Sequence, residues 1–291
     1  MSFFEKNYEI VENAPKEMTW ENYYSKAMQK YSCLLKGAGD SEKEFQEFFE
    51  KNPAFIPGAL GINHFGGHNP YMDALISQPE LGTVVRRKPD FLWLAQNSLK
   101  FTPVFIEIER PNKRMFAKDG HPNQEFNQAL NQIDEWRGIL KDAVNIQTFY
   151  KMFSIPSDIQ EKEFEPQFIL VYGRRNEYEN DNHLRRVRAS KERENVHIMS
   201  FDRLAAVFEY KQFVSCKVQQ GKYKVLYIPP TFRYQADSVD TLARYEDFEN
   251  AIDHMEETSV ERKRFLHERF SYWISKNDDI WKGMIIIGEG E

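Results

Sequence analysis

Cysteine and long hydrophobic runs are scarce in this sequence. Its two cysteines, Cys33 and Cys216, are too few for a disulfide framework and lack the Cys-x-x-Cys spacing of zinc and redox sites. The most apolar runs, at 168–172 and 284–287, have the length of strands, whereas a membrane helix needs about 18 or more apolar residues. Residues 1–18 carry charges where a signal peptide is apolar. We therefore expect a cytoplasmic protein that does not enter the membrane.

Several catalytic motifs and a net positive charge are also missing. The sequence has no Gly-x-Ser-x-Gly and no Gly-rich phosphate loop, and its seven histidines show no metal-ligand spacing. Serine hydrolases, kinases and zinc enzymes are therefore without support. The 39 Lys and Arg residues against 45 Asp and Glu residues give a net charge of −6, which argues against non-specific coating of nucleic acid. Four groups of basic residues nevertheless lie between residues 86 and 193.

The patterns that are present alternate between helical and strand periodicity. With 291 residues, 41% of them hydrophobic, the chain is long enough to bury a full core. The 57–82 segment, rich in Gly, Pro and Asn, predicts turns and an irregular hairpin. The remaining patterns predict helices over 18–36, 41–52, 123–141, 181–193 and 203–210, strands over 83–87, 89–94, 102–109, 167–172 and 196–200, a hairpin of 213–218 with 222–228, and two amphipathic helices within 238–276. Such alternation is typical of an α/β core.

Three carboxylates stand out on two neighbouring strand predictions. Glu107 and Glu109 alternate along one apolar strand, so both project to the same side with Cβ atoms roughly 6.5 to 7 Å apart. If Asp90 ends the neighbouring strand, the three groups converge into an oxygen-rich site of the kind that Mg²⁺ prefers. The alternative is that Asp90 merely ends a strand while the glutamates are solvated or pair with Arg110 and Lys113. Spacing alone leaves both interpretations open.

Six segments, in their order and spacing, resemble the PD-(D/E)XK nuclease superfamily, and more specifically the Shedu family of bacterial anti-phage nucleases. They are residues 44–53, 88–91, 105–111, 128–136, 168–174 and 198–204. The resemblance spans residue 41 to about residue 210. It implies an α/β (α+β) fold with a restriction-endonuclease-like core over 41–212, in which helices flank a mixed central sheet. A helical lead-in over 1–40 precedes that core, and a hairpin plus helical region over 213–291 follows it.

The resemblance also implies roles for the acidic residues. Asp90 and Glu107 would hold Mg²⁺ or Mn²⁺, and Glu109 stands where the superfamily usually has a lysine. A glutamate can bind metal or act as a base, but it cannot supply the positive charge that stabilises the transition state. Lys88 and Lys113 are the candidate substitute cations.

Two further side chains are expected at this site. Gln132, on the predicted 123–141 helix, would fix a water or a phosphate. Glu44 borders the apolar face of its helix and is a candidate active-site residue, although its spacing to Ser41 equally matches a helix capping box.

DNA is the partner that these features imply. Arg174 and Arg175, which follow a strand, join Lys88 and Lys113 as candidate phosphate contacts. We interpret the basic residues of the 181–193 helix as a solvated face. The expected function is that of a metal-dependent DNA endonuclease or nickase in anti-phage defence, assembled as a homo-oligomer, without a small-molecule cofactor. The alternative, motivated by Glu109, is a nuclease-fold module with little or no catalysis that binds DNA or a partner protein.

Overall fold

The structure is a computed structural model that describes residues 6–37, 41–62, 69–81, 88–278 and 283–291. Its helices are α1 (Trp20–Gly37), α2 (Glu42–Lys51), α3 (Gln124–Ile139), α4 (Ala143–Met152), α5 (Ser157–Gln160), α6 (Asn182–Ala189), α7 (Val239–Leu242), α8 (Phe248–Asp253) and α9 (Val260–Lys276). Over the described ranges, none of these helices is both long enough and apolar enough to cross a membrane.

One mixed sheet forms the centre of the molecule. Its strands are β1 (Asn69–Pro70), β2 (Ala74–Ser77), β3 (Phe91–Gln96), β4 (Lys100–Ile108), β5 (Glu163–Phe164), β6 (Gln167–Val171), β7 (Val196–Met199), β8 (Val214–Gln219), β9 (Lys222–Tyr227) and β10 (Tyr245–Glu246). The strand order is β10-β9-β8-β2-β3-β4-β6-β7, with β1 on β3 and β5 on β4. The pairs β2–β3, β3–β4 and β8–β9 are antiparallel, whereas β2–β8, β4–β6 and β6–β7 are parallel. The predicted mixed α/β class is confirmed.

The sheet separates two hydrophobic clusters. Helices α3, α4 and α9 cover one face, where Phe105 of β4 and Trp136 of α3 are buried together. Helices α1 and α2 cover the other face, where Val104 of β4 and Phe49 of α2 are buried in one cluster. This alternation along β4 follows from the two-residue period of a strand. Because both faces are covered, the polar groups of the sheet can reach solvent only at its edges.

Local sequence signals explain α2 and α3. The Ser41 hydroxyl accepts a hydrogen bond from the Glu44 backbone N–H at 3.3 Å and caps α2. Asn52 caps the end of the helix, and its backbone N–H donates a hydrogen bond to the Phe49 carbonyl. Pro53 follows directly. In α3 the buried side chains recur at three- and four-residue steps, as predicted. These two helices lie on opposite faces of the sheet.

Strand β2 corrects the prediction of turns and a hairpin over 57–82. Ala74, Leu75 and Ile76 are fully buried, and the strand lies between β8 and β3 in the sheet. A short strand that is buried on both faces shows no polar alternation. Gln78 directly after β2 and Asp73 directly before it both have positive φ, so the chain turns sharply at each end. The Gly- and Asn-rich part of the segment precedes β2 in the sequence.

Other predicted elements also differ from the structure. The predicted 203–210 helix is wrong: 3₁₀ turns at Phe201–Arg203 and Phe208–Tyr210 flank an extended stretch. There the Val207 N–H donates to the Ala54 carbonyl at 2.9 Å, a tertiary contact that holds the backbone out of a helix. Three helices, α7 to α9, replace the two predicted within 238–276, and α4 and α5 were not predicted. The predicted 83–87 strand lies outside the described residues.

The predicted hairpin of 213–218 with 222–228 is confirmed. Strands β8 and β9 pair through a turn at Gln220 and Gly221, both with positive φ. Strand β8 also runs parallel to β2, with Ala74 opposite Val214. Hydrogen bonds of one sheet therefore join the two sides of the predicted boundary at residue 212, and that boundary stays a prediction.

Candidate functional site

Asp90 and Glu107 meet at one edge of the sheet. Asp90 directly precedes β3, Glu107 is the penultimate residue of β4, and the register pairs Phe91 with Ile106. One step further along this antiparallel pair, Asp90 stands opposite Glu107. Phe105 is buried on the α3 side of the sheet, so Glu107, two residues later, projects to the same side.

The Asp90 carboxylate is held against the end of β4. It accepts a hydrogen bond from the Ile108 backbone N–H at 2.6 Å. Burial is the main cause that raises the pKa of Asp90 to about 7, and the charges of Glu42 and Glu109 raise it further against the lowering effect of that hydrogen bond. Near neutral pH this group therefore stands close to its own midpoint of ionisation.

Glu107 has one oxygen that is satisfied and one that is not. Oε1 accepts a hydrogen bond at 2.8 Å from Nε2 of Gln132, whose side chain on α3 is buried. Oε2 is buried and has no hydrogen-bond partner among the described residues. Burial first, and then the charges of Asp90 and Glu109, raise the pKa of Glu107 well above its usual range. A buried acceptor without a partner is costly unless a cation or a proton compensates it.

The third carboxylate, Glu109, forms an ion pair with Lys113. Both side chains are only 18% exposed, and the lysine ammonium contacts Glu109 Oε2. Lys88, the other candidate cation, has a 53% exposed side chain and pairs with Glu80 at 2.6 Å. Of the two lysines, Lys113 is the one that the structure brings to the acidic side chains.

The structure does not form the three-carboxylate metal nest expected from the strand spacing. Within the described ranges, no group of three or more His, Cys, Asp or Glu side chains is arranged to hold a metal ion. The physical reason is that Lys113 engages Glu109. Asp90 and Glu107 remain as a pair with an unsatisfied oxygen. Such a pair fits Mg²⁺, which is commonly bound by one or two carboxylates together with waters and substrate phosphates.

Helix α2 contributes Glu42 rather than Glu44 to the field of this pair. The charge of Glu42 raises the pKa of both Asp90 and Glu107. Both side chains are exposed, and the backbone N–H of Glu44 serves in the Ser41 cap. Glu42 lies three and seven residues before Phe45 and Phe49, so helical periodicity places it on their face. That periodicity could have identified Glu42 from the sequence. A catalytic role for Glu44 stays a prediction.

A basic cavity adjoins Lys113. It has a volume of about 560 Å³ and is lined by Pro111, Asn112, Lys113, Arg114, Arg174, Asn176 and Glu177. Arg174 also pairs with Asp202 at 2.6 Å, while Arg175 is 69% exposed and lies outside the lining. The structure thus joins Lys113 and Arg174 in one cavity, and it leaves Lys88 and Arg175 outside it.

Two contacts fix the segment that carries Lys113. The Glu177 carboxylate accepts hydrogen bonds from the backbone N–H groups of Met115 and Phe116, at 2.8 and 3.0 Å. Gly173, directly before Arg174, has a φ of +60°, and a Cβ there would lie 2.8 Å from the Lys113 carbonyl oxygen. Only glycine permits this close approach of the two backbones.

A comparison with protein families covers the region that holds these side chains. The family model described as Shedu protein SduA, C-terminal, matches residues 39–205, more than half of the chain. The matched range includes Asp90, Glu107, Glu109 and Gln132. A search of curated proteins found no match.

Proposed function

Because the chain belongs to the Shedu family, which is implicated in anti-phage defence, we propose that it is a metal-dependent DNA endonuclease or nickase with a PD-(D/E)XK core. The observation that carries this proposal is the Asp90–Glu107 pair with its unsatisfied Glu107 oxygen. The pair lies at one sheet edge beside Gln132 and the basic cavity.

Asp90 and Glu107 would hold Mg²⁺ or Mn²⁺, which supplies a Lewis acid and a bound water of lowered pKa. The Ile108 N–H orients Asp90, and Gln132 orients Glu107 as a positioning residue. Burial raises the pKa of both carboxyl groups, so a bound cation would take the place of a proton at each of them.

The Lys113–Glu109 pair takes the place of the lysine usual in the superfamily. Glu109 supplies a carboxylate that can accept a proton from the attacking water. Lys113 supplies the positive charge that Glu109 lacks, four residues along the chain. Together the two side chains would provide a base for the attacking water and a cation for the negative charge that develops on the phosphoryl oxygens.

The substrate proposed is the phosphate backbone of DNA. Lys113, Arg114 and Arg174 line one cavity, and guanidinium and ammonium groups bind phosphate without reading sequence. Contacts of Lys88 and Arg175 to DNA and assembly into a homo-oligomer remain predictions.

A second candidate function is a nuclease-fold module that binds DNA without cutting it. The observation in its favour is the Lys113–Glu109 ion pair, which neutralises the third carboxylate. Two carboxylates then remain for metal binding.

The decisive experiment is cleavage of supercoiled plasmid and linear DNA with Mg²⁺, Mn²⁺ or EDTA. We expect metal-dependent cleavage that falls by about a hundredfold or more in Asp90→Asn and Glu107→Gln. We expect a fall of about 10- to 100-fold in Gln132→Met, because loss of a group that orients a metal ligand has this effect. The matched control is Glu135→Gln, an exposed carboxylate on the same helix as Gln132.

Wild-type rates in both Asp90→Asn and Glu107→Gln would refute the nuclease assignment. DNA binding by wild type and variants alike, without cleavage under any of these ions, would instead establish the binding module.

A further inference from the structure

Helix α6 carries positive charge that the proposed cleavage site does not use. Residues 173–191, which contain this helix, include six Lys and Arg residues against three Asp and Glu residues, whereas the whole chain has a net charge of −6. Arg174, at the start of this segment, lines the basic cavity. The local excess of positive charge therefore continues along the chain from the cavity into α6.

One face of α6 is fixed to the rest of the protein. Leu184 and Val187 pack against the hydrophobic cluster on the α3 side of the sheet. The guanidinium of Arg188 donates a hydrogen bond to a backbone carbonyl of β7. Arg185 and Arg186 lie on the other side of the helix and are exposed. The helix therefore holds these two arginines towards solvent on a firmly anchored support.

Neither of these two arginines is paired with an acidic side chain. In the described part of the chain, no carboxylate forms an ion pair with Arg185 or Arg186, although Arg185 donates a hydrogen bond to a neutral asparagine side chain. The acidic residues that precede α6 have other partners. Glu177 and Asp181 accept hydrogen bonds from backbone N–H groups, and Glu179 lies 4.0 Å from another arginine. Two positive charges are thus available to a ligand.

A turn in the segment after β4 adds a third cation beside α6. Backbone hydrogen bonds close this turn over 117–121, and Lys118 is exposed within it. A Cβ on Gly120 would lie 3.6 Å from the Leu184 side chain, so the turn packs against the start of α6. Lys118 has no ion pair with a described residue, and Asp119 accepts a hydrogen bond from a backbone N–H of the turn at 3.1 Å. We call these exposed cations the α6 surface; they are Lys118, Arg185 and Arg186.

The surroundings of the α6 surface contain no exposed apolar patch. Among the described residues, the exposed large apolar side chains all lie outside 110–121 and 173–191. Protein interfaces and single-strand sites depend on exposed apolar or aromatic side chains, whereas arginine and lysine suffice to contact the phosphates of a duplex. The chemistry therefore favours the duplex backbone over a single strand or a partner protein.

We propose that the α6 surface is a second contact site for the phosphate backbone of duplex DNA, outside the cleavage site. This role rests on the proposed function and differs from that of a merely solvated helix face, which the sequence alone favoured. Because β4 and β6 are parallel, both segments that build the surface leave the sheet at the edge that carries the acidic pair. A duplex held at the basic cavity therefore passes close to α6, and the added contacts raise its affinity without reading its base sequence.

The test is fluorescence anisotropy of the full chain with a labelled DNA duplex in EDTA, over a series of salt concentrations. The α6 variant carries the double substitution Arg185→Gln and Arg186→Gln. We expect it to bind the duplex about three- to tenfold more weakly than the wild type does, because two exposed charge contacts are lost. The slope of log affinity against log salt concentration should become shallower by about 0.9 for each lost contact. Lys118→Gln should change this slope in the same direction by one such step.

The matched control is the double substitution Lys217→Gln and Arg264→Gln, which removes the same charge from exposed residues of β8 and α9. We expect its affinity and salt slope to stay close to those of the wild type. Both double variants should unfold at the wild-type temperature, since all four side chains are exposed. A single-stranded oligonucleotide of the same sequence should bind more weakly than the duplex.

Binding in EDTA does not require catalysis, so the α6 surface and the nuclease assignment can fail separately. The expected binding pattern without any metal-dependent cleavage would support the α6 surface and refute the nuclease. Cleavage together with equal affinity and equal salt slope in the wild type and the α6 variant would overturn the α6 surface and keep the nuclease. An equal loss of affinity in the control variant, or tighter binding of the single strand than of the duplex, would also overturn the α6 surface.

Discussion

Individual side chains at the Asp90–Glu107 pair make the stability of the metal-free protein depend on pH. Burial raises the pKa of Asp90 from its ordinary value of 3.8 to about 7 in the folded state. Between these values the folded chain binds more protons at this group than the unfolded chain does. The contribution of Asp90 to stability is therefore fully present below the lower value and is lost as the pH rises towards the upper one.

We predict that this dependence is measurable by urea unfolding in EDTA between about pH 4 and pH 7. The free energy of unfolding of the wild type should fall by up to about 1.4 kcal/mol per pH unit because of this one group. Asp90→Asn has no such proton, so the difference in free energy of unfolding between the two proteins should change steadily across this pH range. Glu135→Gln alters an exposed carboxylate, so its free energy of unfolding should depend on pH as that of the wild type does. A difference between wild type and Asp90→Asn that is independent of pH would contradict the assignment.

The sequence located most of the acidic site but not its pairing. Asp90 and Glu107 follow from strand patterns, and Gln132 follows from the resemblance of its helix. Pairing of Glu109 with Lys113 was only an alternative, because it depends on the irregular turn after Pro111, where no periodicity fixes side-chain direction. Glu42 was not predicted, because the helical angles favoured Glu44, which borders the apolar face of α2, over Glu47.

Among the elements, the turn after β6 holds the segment that carries Lys113. Gly173→Ala should lower the free energy of unfolding by about 1 kcal/mol or more, because alanine is strained at positive φ and its Cβ would meet the Lys113 carbonyl. Gly138→Ala, on α3 with open space at its Cβ position, should raise it by about 0.5 to 1 kcal/mol. Denaturant titration of both glycine variants measures the two changes in the free energy of unfolding. A shift of the same sign in both would show that close backbone approach at Gly173 has no energetic weight.

Elements with a clear period could be predicted, and those defined by tertiary contacts could not. Helices α1, α2 and α3 match their predictions within a few residues, because apolar side chains recur with the helical period. Strand β2 has no alternation to detect, because both of its faces are buried. The segment after Arg203 resembles a helix in composition, but its backbone bonds to Ala54 instead.

At the scale of the whole molecule, the sheet is one structure on both sides of residue 212. A chain that ends at residue 212 lacks β8 and leaves the β2 edge without its partner. Since β2 is entirely buried, that edge would expose apolar side chains and free backbone groups. We predict that the shortened chain aggregates or unfolds without cooperativity. Light scattering and a thermal melt against the full chain test this, and a monodisperse, cooperatively folding 1–212 protein would contradict it.

The pairing of Ala74 with Val214 also sets the order in which the protein can mature during synthesis. A ribosome makes β2 and β3 early, but the strand that borders β2 on its other side emerges much later. At about 5–20 residues per second, that interval is on the order of ten seconds. Until β8 appears, the edge of β2 lacks its parallel neighbour. Asp90, Glu107 and Gln132 are therefore all synthesised before the sheet around β2 can be completed.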